Sequence, residues 1–95
     1  MKIALVCAGG MSTSMLVSNM KKYVDDGDVV EAFAVANLEK KIQEFDVVLL
    51  GPQVRYLEKE TKDIADKYGK KFAVIDLKTF GSMDGKAAVS LAKSL

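Results

Sequence analysis

Three short apolar runs punctuate the chain: Ile3–Cys7 (IALVC), Val47–Gly51 (VVLLG) and Phe72–Asp76 (FAVID). Each is largely aliphatic or β-branched and bounded by turn residues, the pattern of strands buried on both faces. A fourth run, Val29–Val35, is interrupted by Glu31 and diluted by alanines, which predicts an edge strand. Between the runs the period lengthens to that of a helix. Met11, Met15, Leu16, Met20, Tyr23 and Val24 recur at helical spacing, and Asp25–Asp28 (DDGD) supplies a stop. Asn37 is expected to cap a short helix carrying Leu38, Ile42 and Phe45, while Leu57, Ile64, Ala65 and Tyr68 mark another that ends at Gly69. From about Ser82 onward, Ala87, Ala88, Leu91, Ala92 and Leu95 build a C-terminal helix that starts near GSMDG.

The order β-α-β-α-β-α-β-α calls for an α/β fold, a mostly parallel sheet with helices on both faces and right-handed crossovers. For four strands the simplest arrangement is 2-1-3-4, a three-layer, flavodoxin-like sheet. In that order the chain reverses direction between strands 1 and 3, and ligands of open α/β sheets bind beyond the strand ends at such a switch point. The flanking loops there are Cys7–Ser14 and Gly51–Tyr56. With 95 residues and no repeat, linker or low-complexity segment, residues 1–95 read as a single domain.

Composition narrows the chemistry. Fourteen basic and thirteen acidic residues leave a charge of +1, so no global field draws the chain to nucleic acid or to an anionic membrane, and any anion site must be local. No apolar run reaches the roughly 18 residues of a spanning helix, and the first residues lead into a strand instead of a leader, so the chain reads as cytoplasmic. One cysteine cannot form an internal disulfide, and the absence of histidine removes most support for a transition-metal site. Any histidine chemistry must come from another molecule.

The cysteine opens the most unusual stretch, CAGGMSTS (Cys7–Ser14). Ala8, Gly9 and Gly10 carry almost no side-chain bulk, so their amides are able to turn around an anion, and Ser12, Thr13 and Ser14 add hydroxyls. The helix that follows aims its N-terminus at the same place, favouring a Cys7 thiolate or a bound phosphate. A buried small hydrophobe is the commoner fate of a cysteine, but packing does not account for the glycines and hydroxyls. A Walker A loop is excluded because the Gly-Lys-Ser/Thr ending is missing, and a dinucleotide fingerprint because the glycine spacing is wrong. The cradle has the size of a monophosphate.

A cysteine and loop at the end of strand 1 are similar to those of low-molecular-weight tyrosine phosphatases and related arsenate reductases, whose signature places an arginine six residues after the cysteine. Here that position is Thr13. Without a guanidinium on the transferring phosphoryl group, and without an obvious acid for the leaving oxygen, hydrolytic turnover should be poor. A site that accepts a phosphoryl group and hydrolyses it slowly suits a carrier. A phosphatase-like enzyme and a non-catalytic anion-binding module are the competing readings.

CAGGMSTSML (Cys7–Leu16), DVVLLGPQVRY (Asp46–Tyr56) and VIDLKTFGSMDG (Val74–Gly85) together resemble the IIB components of the lactose/cellobiose/chitobiose family of bacterial sugar phosphotransferase systems. The resemblance covers essentially the whole chain. It implies that Cys7 accepts a phosphoryl group from a phosphohistidine of a IIA protein and passes it to a sugar carried by the membrane IIC permease. The sugar would be a β-disaccharide such as cellobiose, chitobiose or lactose. Ala8, Gly9, Gly10, Met11, Ser12, Thr13 and Ser14 would form the phosphate loop, and phosphocysteine the intermediate. No metal, nucleotide or other cofactor is required, and localisation would be cytoplasmic with transient visits to the inner face of the membrane through IIC. The family loop commonly begins Cys-Ser-Ala-Gly, so Ala8 lacks a hydroxyl that relatives carry.

Three accessory candidates follow from the second loop. Gln53 would donate to a phosphoryl oxygen or order the cysteine loop, Arg55, the one arginine in the chain, would dock an acidic partner surface, and Tyr56 resembles a family tyrosine. A turn residue, a solvated helix start and a packing aromatic are the plainer readings of these three. Asp76 is expected to cap the following turn, because an ionised carboxylate facing a phosphothiolate would be repelled. Phe80 stands where family members often have tyrosine. Met11, Met15 and Met20 read as mostly core, with Met11 in the loop a candidate docking residue, and the lysine pairs read as solvated surface.

Overall fold

The computed structural model describes residues 1–7 and 11–95, Met11 and Ser12 by backbone alone. Four strands, β1 (Lys2–Val6), β2 (Val29–Phe33), β3 (Val47–Leu50) and β4 (Lys71–Val74), form one parallel sheet in the order β2-β1-β3-β4. That is the expected 2-1-3-4 order, with its switch point between β1 and β3. The register aligns Val6 with Phe33 on one side and with Leu50 on the other, and Leu50 with Val74, so the C-terminal ends of all four strands share one edge.

Alternation along the strands sorts the core into two layers. Ile3, Leu5, Val47 and Leu49 face helices α1 (Met11–Met20), α4 (Leu77–Gly81) and α5 (Gly85–Ser94), where they meet Leu16, Met20, Phe80, Ala88, Val89 and Ala92. Ala4, Val6, Val48 and Leu50 face α2 (Leu38–Lys41) and α3 (Glu58–Lys67), where they meet Leu38, Ile42 and Ala65. Burial on both faces is why β1 and β3 read as continuous apolar runs. Edge strand β2 tolerates Glu31 because Lys41 Nζ donates to Glu31 Oε1 at 2.7 Å while lying 5.2 Å over the Phe33 ring.

Several expectations shift. Helix α1 ends at Met20, three to four residues before the apolar pattern does, and Tyr23 is exposed. Asn37 closes a 3-10 turn (Val35–Asn37), and its side chain makes no capping hydrogen bond to α2. The β2 strand stops at Phe33, and β4 stops at Val74, leaving Ile75 and Asp76 outside the ladder. The C-terminal helix expected from about Ser82 is α5, capped by Asp84; before it lies a short helix the pattern did not announce, α4, capped by Asp76, and a turn at Met83, with a left-handed φ of 53°, separates the two. Gly85, the first residue of α5, lies so close to α1 that a methyl group there would sit 2.3–2.5 Å from backbone atoms of Asn19 and Met20. Asn19 Nδ2 donates to the Met83 carbonyl at 2.9 Å, so the end of α1 is held against the α4–α5 corner by both contacts.

Candidate functional site

Cys7 stands one residue past the end of β1, at the switch point. Its backbone N–H donates to Phe33 O (3.2 Å), and across the sheet Gly51 N–H donates to Val6 O (2.8 Å), so the ladder is continued on both sides of the cysteine. The side chain is 3% exposed and packs with Ala4, Val6, Val48, Leu50 and Val54. Cys7 Sγ and Thr13 Oγ1 are hydrogen-bonded at 2.8 Å, and Thr13 is itself only 5% exposed. A buried hydroxyl needs a partner, and the sulfur is one. Among the described residues no buried side-chain nitrogen or oxygen lacks a partner.

The hydroxyls grouped together in the sequence are therefore not equivalent. Thr13 points inward to the sulfur, Ser14 is exposed on α1, and the Ser12 and Met11 side chains lie outside the description, as do Ala8, Gly9 and Gly10 entirely. The α1 helix carries no acidic residue in its first turn and no charged residue anywhere along its length. Its N-terminal amides and dipole thus meet no built-in side-chain carboxylate from that turn.

Gly51 belongs to this site in a way its turn-forming residue type does not announce. A methyl group there would lie 3.1 Å from Gln53 Oε1 and 3.2 Å from Cys7 Cβ, so the glycine lets the β3 loop close over the cysteine, and the Gln53 side chain folds back over it. The legible signal was a glycine ending a strand directly beside the switch point. Gln53 is otherwise exposed. Pro52–Leu57 form a 3-10 turn leading into α3.

Arg55 is 73% exposed and its Nε lies 3.6 Å from Glu58 Oε1, a loose surface pair. It lines a cavity of about 280 Å³ with Pro52, Val74, Ile75, Asp76 and Leu77, between the ends of β3 and β4. Tyr56 is 82% exposed, which overturns its reading as a packing residue. Met15, expected in the core, is also exposed, whereas Met20 is fully buried. Asp76 caps as expected: Thr79 N–H donates to its Oδ1 at 3.2 Å, and hydrogen bonding from Thr79 holds the carboxyl below its ordinary range. A larger hollow of about 370 Å³, lined by Asn19, Lys22, Tyr23, Ser82, Met83, Asp84 and Gly85, lies at the other end of α1. Among the described residues no cluster of three or more His, Cys, Asp or Glu side chains is placed to hold a metal, and no helix is long and apolar enough to cross a membrane.

A cysteine at the switch point, a helix start without acid and the 2-1-3-4 strand order are now in place. The family model for the lactose/cellobiose-specific IIB subunit of the PTS system matches residues 2–91. The chain belongs to this family. It is 42% identical over 97 residues to the oligo-β-mannoside-specific EIIB component of Bacillus subtilis (strain 168), covering 99% of this chain and 94% of that protein. It is 39% identical over 101 residues to the cellobiose-specific EIIB component of Lactococcus lactis subsp. lactis (strain IL1403), covering 98% and 94%. The solution structure of the cellobiose-specific phosphotransferase IIB component from Borrelia burgdorferi superposes with a TM-score of 0.82 at 38% identity, covering 99% of this chain and 89% of that one. The lactose-specific IIB domain from Streptococcus pneumoniae has the same fold, with a TM-score of 0.84 at 17% identity over 99% of this chain and 95% of that one. This IIB-family chain is therefore a sugar phosphotransferase subunit with the expected architecture.

Proposed function

We propose that Cys7 carries the phosphoryl group, accepting it from a phosphohistidine of a IIA protein and delivering it to a sugar held by the IIC permease. The observation that carries this reading is the Cys7 Sγ···Thr13 Oγ1 contact at the switch point, in the place where a hydrolytic relative would put arginine. In loading, sulfur attacks phosphorus, the S–P bond forms as the P–N bond breaks, and the imidazole nitrogen takes up a proton as the thiol gives one up. In delivery a sugar hydroxyl oxygen attacks phosphorus, the S–P bond breaks, and the proton lost by the hydroxyl restores the thiol. Both steps are in-line displacements whose demand on the protein is positioning and charge stabilisation. Ala8–Ser14 form the phosphate loop, with amide donors doing most of the binding because Ala8 offers no hydroxyl.

Gln53, folded back over Gly51 beside the cysteine, closes the loop from the β3 side. Arg55 and Tyr56 contact partners, a role supported by their exposure. No metal, nucleotide or other cofactor takes part. The sugar is a β-linked disaccharide, in keeping with relatives named for oligo-β-mannoside and cellobiose; another relative is named for galactose. Work is done on the cytoplasmic side, with transient docking at the membrane through IIC. Incubation with phosphorylated IIA tests the reading: intact mass rises by one phosphoryl group, and Cys7→Ser abolishes stable loading. Phosphate found on another residue refutes it.

A further inference from the structure

Thr13 does more than share in a loop of donors. Its side chain is buried, it stands on the first turns of α1, and its oxygen is 2.8 Å from the atom that reacts. Ser14, its neighbour, faces outward. We propose that the Thr13 hydroxyl is a catalytic donor to the Cys7 sulfur, favouring its reactive form, and that it turns to a phosphoryl oxygen once the sulfur is loaded. This deepens, and in its second half rests on, the phosphocysteine reading.

The chemistry follows from donor and acceptor capacity. A thiol and a hydroxyl can hydrogen-bond in either sense, but a thiolate has no proton to give, so only the hydroxyl can then donate. Hydrogen bonds to an ionised acceptor are the stronger class, so the contact strengthens as the sulfur loses its proton. After the S–P bond forms, the sulfur is a poor acceptor and phosphoryl oxygens are strong ones. A hydroxyl is a rotor: it can change acceptor without moving its oxygen far and without losing its proton. An arginine here would instead carry a fixed positive charge and several donors toward the phosphoryl group, the arrangement that stabilises charge in hydrolytic transfer. Threonine adds one neutral donor to the amides of the loop.

The test compares Thr13→Val, which keeps the volume and removes the hydroxyl, with Thr13→Ser, which keeps the hydroxyl and removes the methyl. Alkylation of Cys7 by iodoacetamide at neutral pH, followed by intact mass, reads the first half without any phosphoryl donor. The expected result is alkylation at least about fivefold slower for Thr13→Val, and within about twofold of the parent for Thr13→Ser, as loss of a charge-assisted hydrogen bond predicts. A packing role predicts the reverse order, with the valine variant normal and the serine variant impaired. Loading from phosphorylated IIA should follow the same ranking. Normal alkylation of Thr13→Val overturns the first half, and normal loading of that variant overturns the second. If the variants show the alkylation ranking but the parent protein does not load, the carrier reading fails and the hydroxyl–sulfur coupling stands.

Discussion

Two helices in the last third of the chain begin on a carboxylate, and the first helix does not. Asp84 Oδ1 accepts from Ala87 N–H at 2.9 Å at the start of α5, and Asp76 Oδ1 accepts from Thr79 N–H at 3.2 Å at the start of α4. Before α1 the corresponding residues, Cys7 to Gly10, offer a sulfur, a methyl group and hydrogens, and the first turn holds no acid. All three helix starts lack intrahelical partners for their first amides and have the same sign of dipole. The difference is that α4 and α5 carry their anion permanently, while on the proposed phosphocysteine reading α1 would receive its anion only when Cys7 is loaded. A permanent carboxylate stabilises a fold; a place for a transient anion is what the proposed carrier role requires.

The most severe way to break that contrast is to give α1 its own carboxylate. Ser12→Asp puts a fixed negative charge in the first turn, and its repulsion of an incoming phosphoryl group should slow loading by at least about tenfold, the effect of about 1.4 kcal/mol on a barrier. The melting temperature should stay within a few degrees, because the new charge suits the dipole. Intact-mass time courses with phosphorylated IIA and a thermal melt measure both.

The next largest effect falls on the packing that joins the two kinds of helix start. Gly85→Ala drives a methyl group to 2.3–2.5 Å from the α1 backbone at Asn19 and Met20. The helices must part, at a cost of about 3 kcal/mol, or a melting temperature lower by on the order of 15 °C in a domain of this size. Denaturant titration of the variant against the parent gives the value. Smaller still, Asp84→Ala removes one cap, costs about 1 kcal/mol, and leaves phosphoryl loading unchanged, since that helix start serves structure alone.

Acid sharpens the comparison last. Hydrogen bonding from Thr79 holds the Asp76 carboxyl below its ordinary range, and hydrogen bonding from Lys67 does the same for Glu39. A carboxyl lowered in the folded state contributes stability that is present above its unfolded value, about pH 4, and is lost as pH falls through the folded value. Melting temperatures should therefore be level from pH 7 to about pH 5 and fall below about pH 4, and Asp76→Asn should make that fall shallower.

Much of this was legible in the residues. The sheet order followed from four apolar runs alternating with helical ones, and the placing of Cys7 at the switch point followed from that order. What escaped has tertiary causes. The close approach of Gly85 to α1 joins residues 66 positions apart in the chain, which no local pattern announces. The exposure of Met15 and Tyr56 defeats a pattern argument that counts apolar residues as core. Thr13 stood apart in the sequence only as the position of the missing arginine; that its hydroxyl reaches the cysteine sulfur is seen in its orientation alone. Gly51 carries the same lesson: a turn glycine by type, a cysteine neighbour by geometry.

The central claim, that Cys7 holds a phosphoryl group for transfer and not for hydrolysis, is tested most directly by following the label. Protein loaded with radiolabelled phosphate from IIA is mixed with vesicles containing the IIC permease and cellobiose. Label leaving the protein and appearing on sugar, with little inorganic phosphate released when vesicles are omitted, is the predicted result. Release of inorganic phosphate at the same rate with or without vesicles and sugar would contradict it.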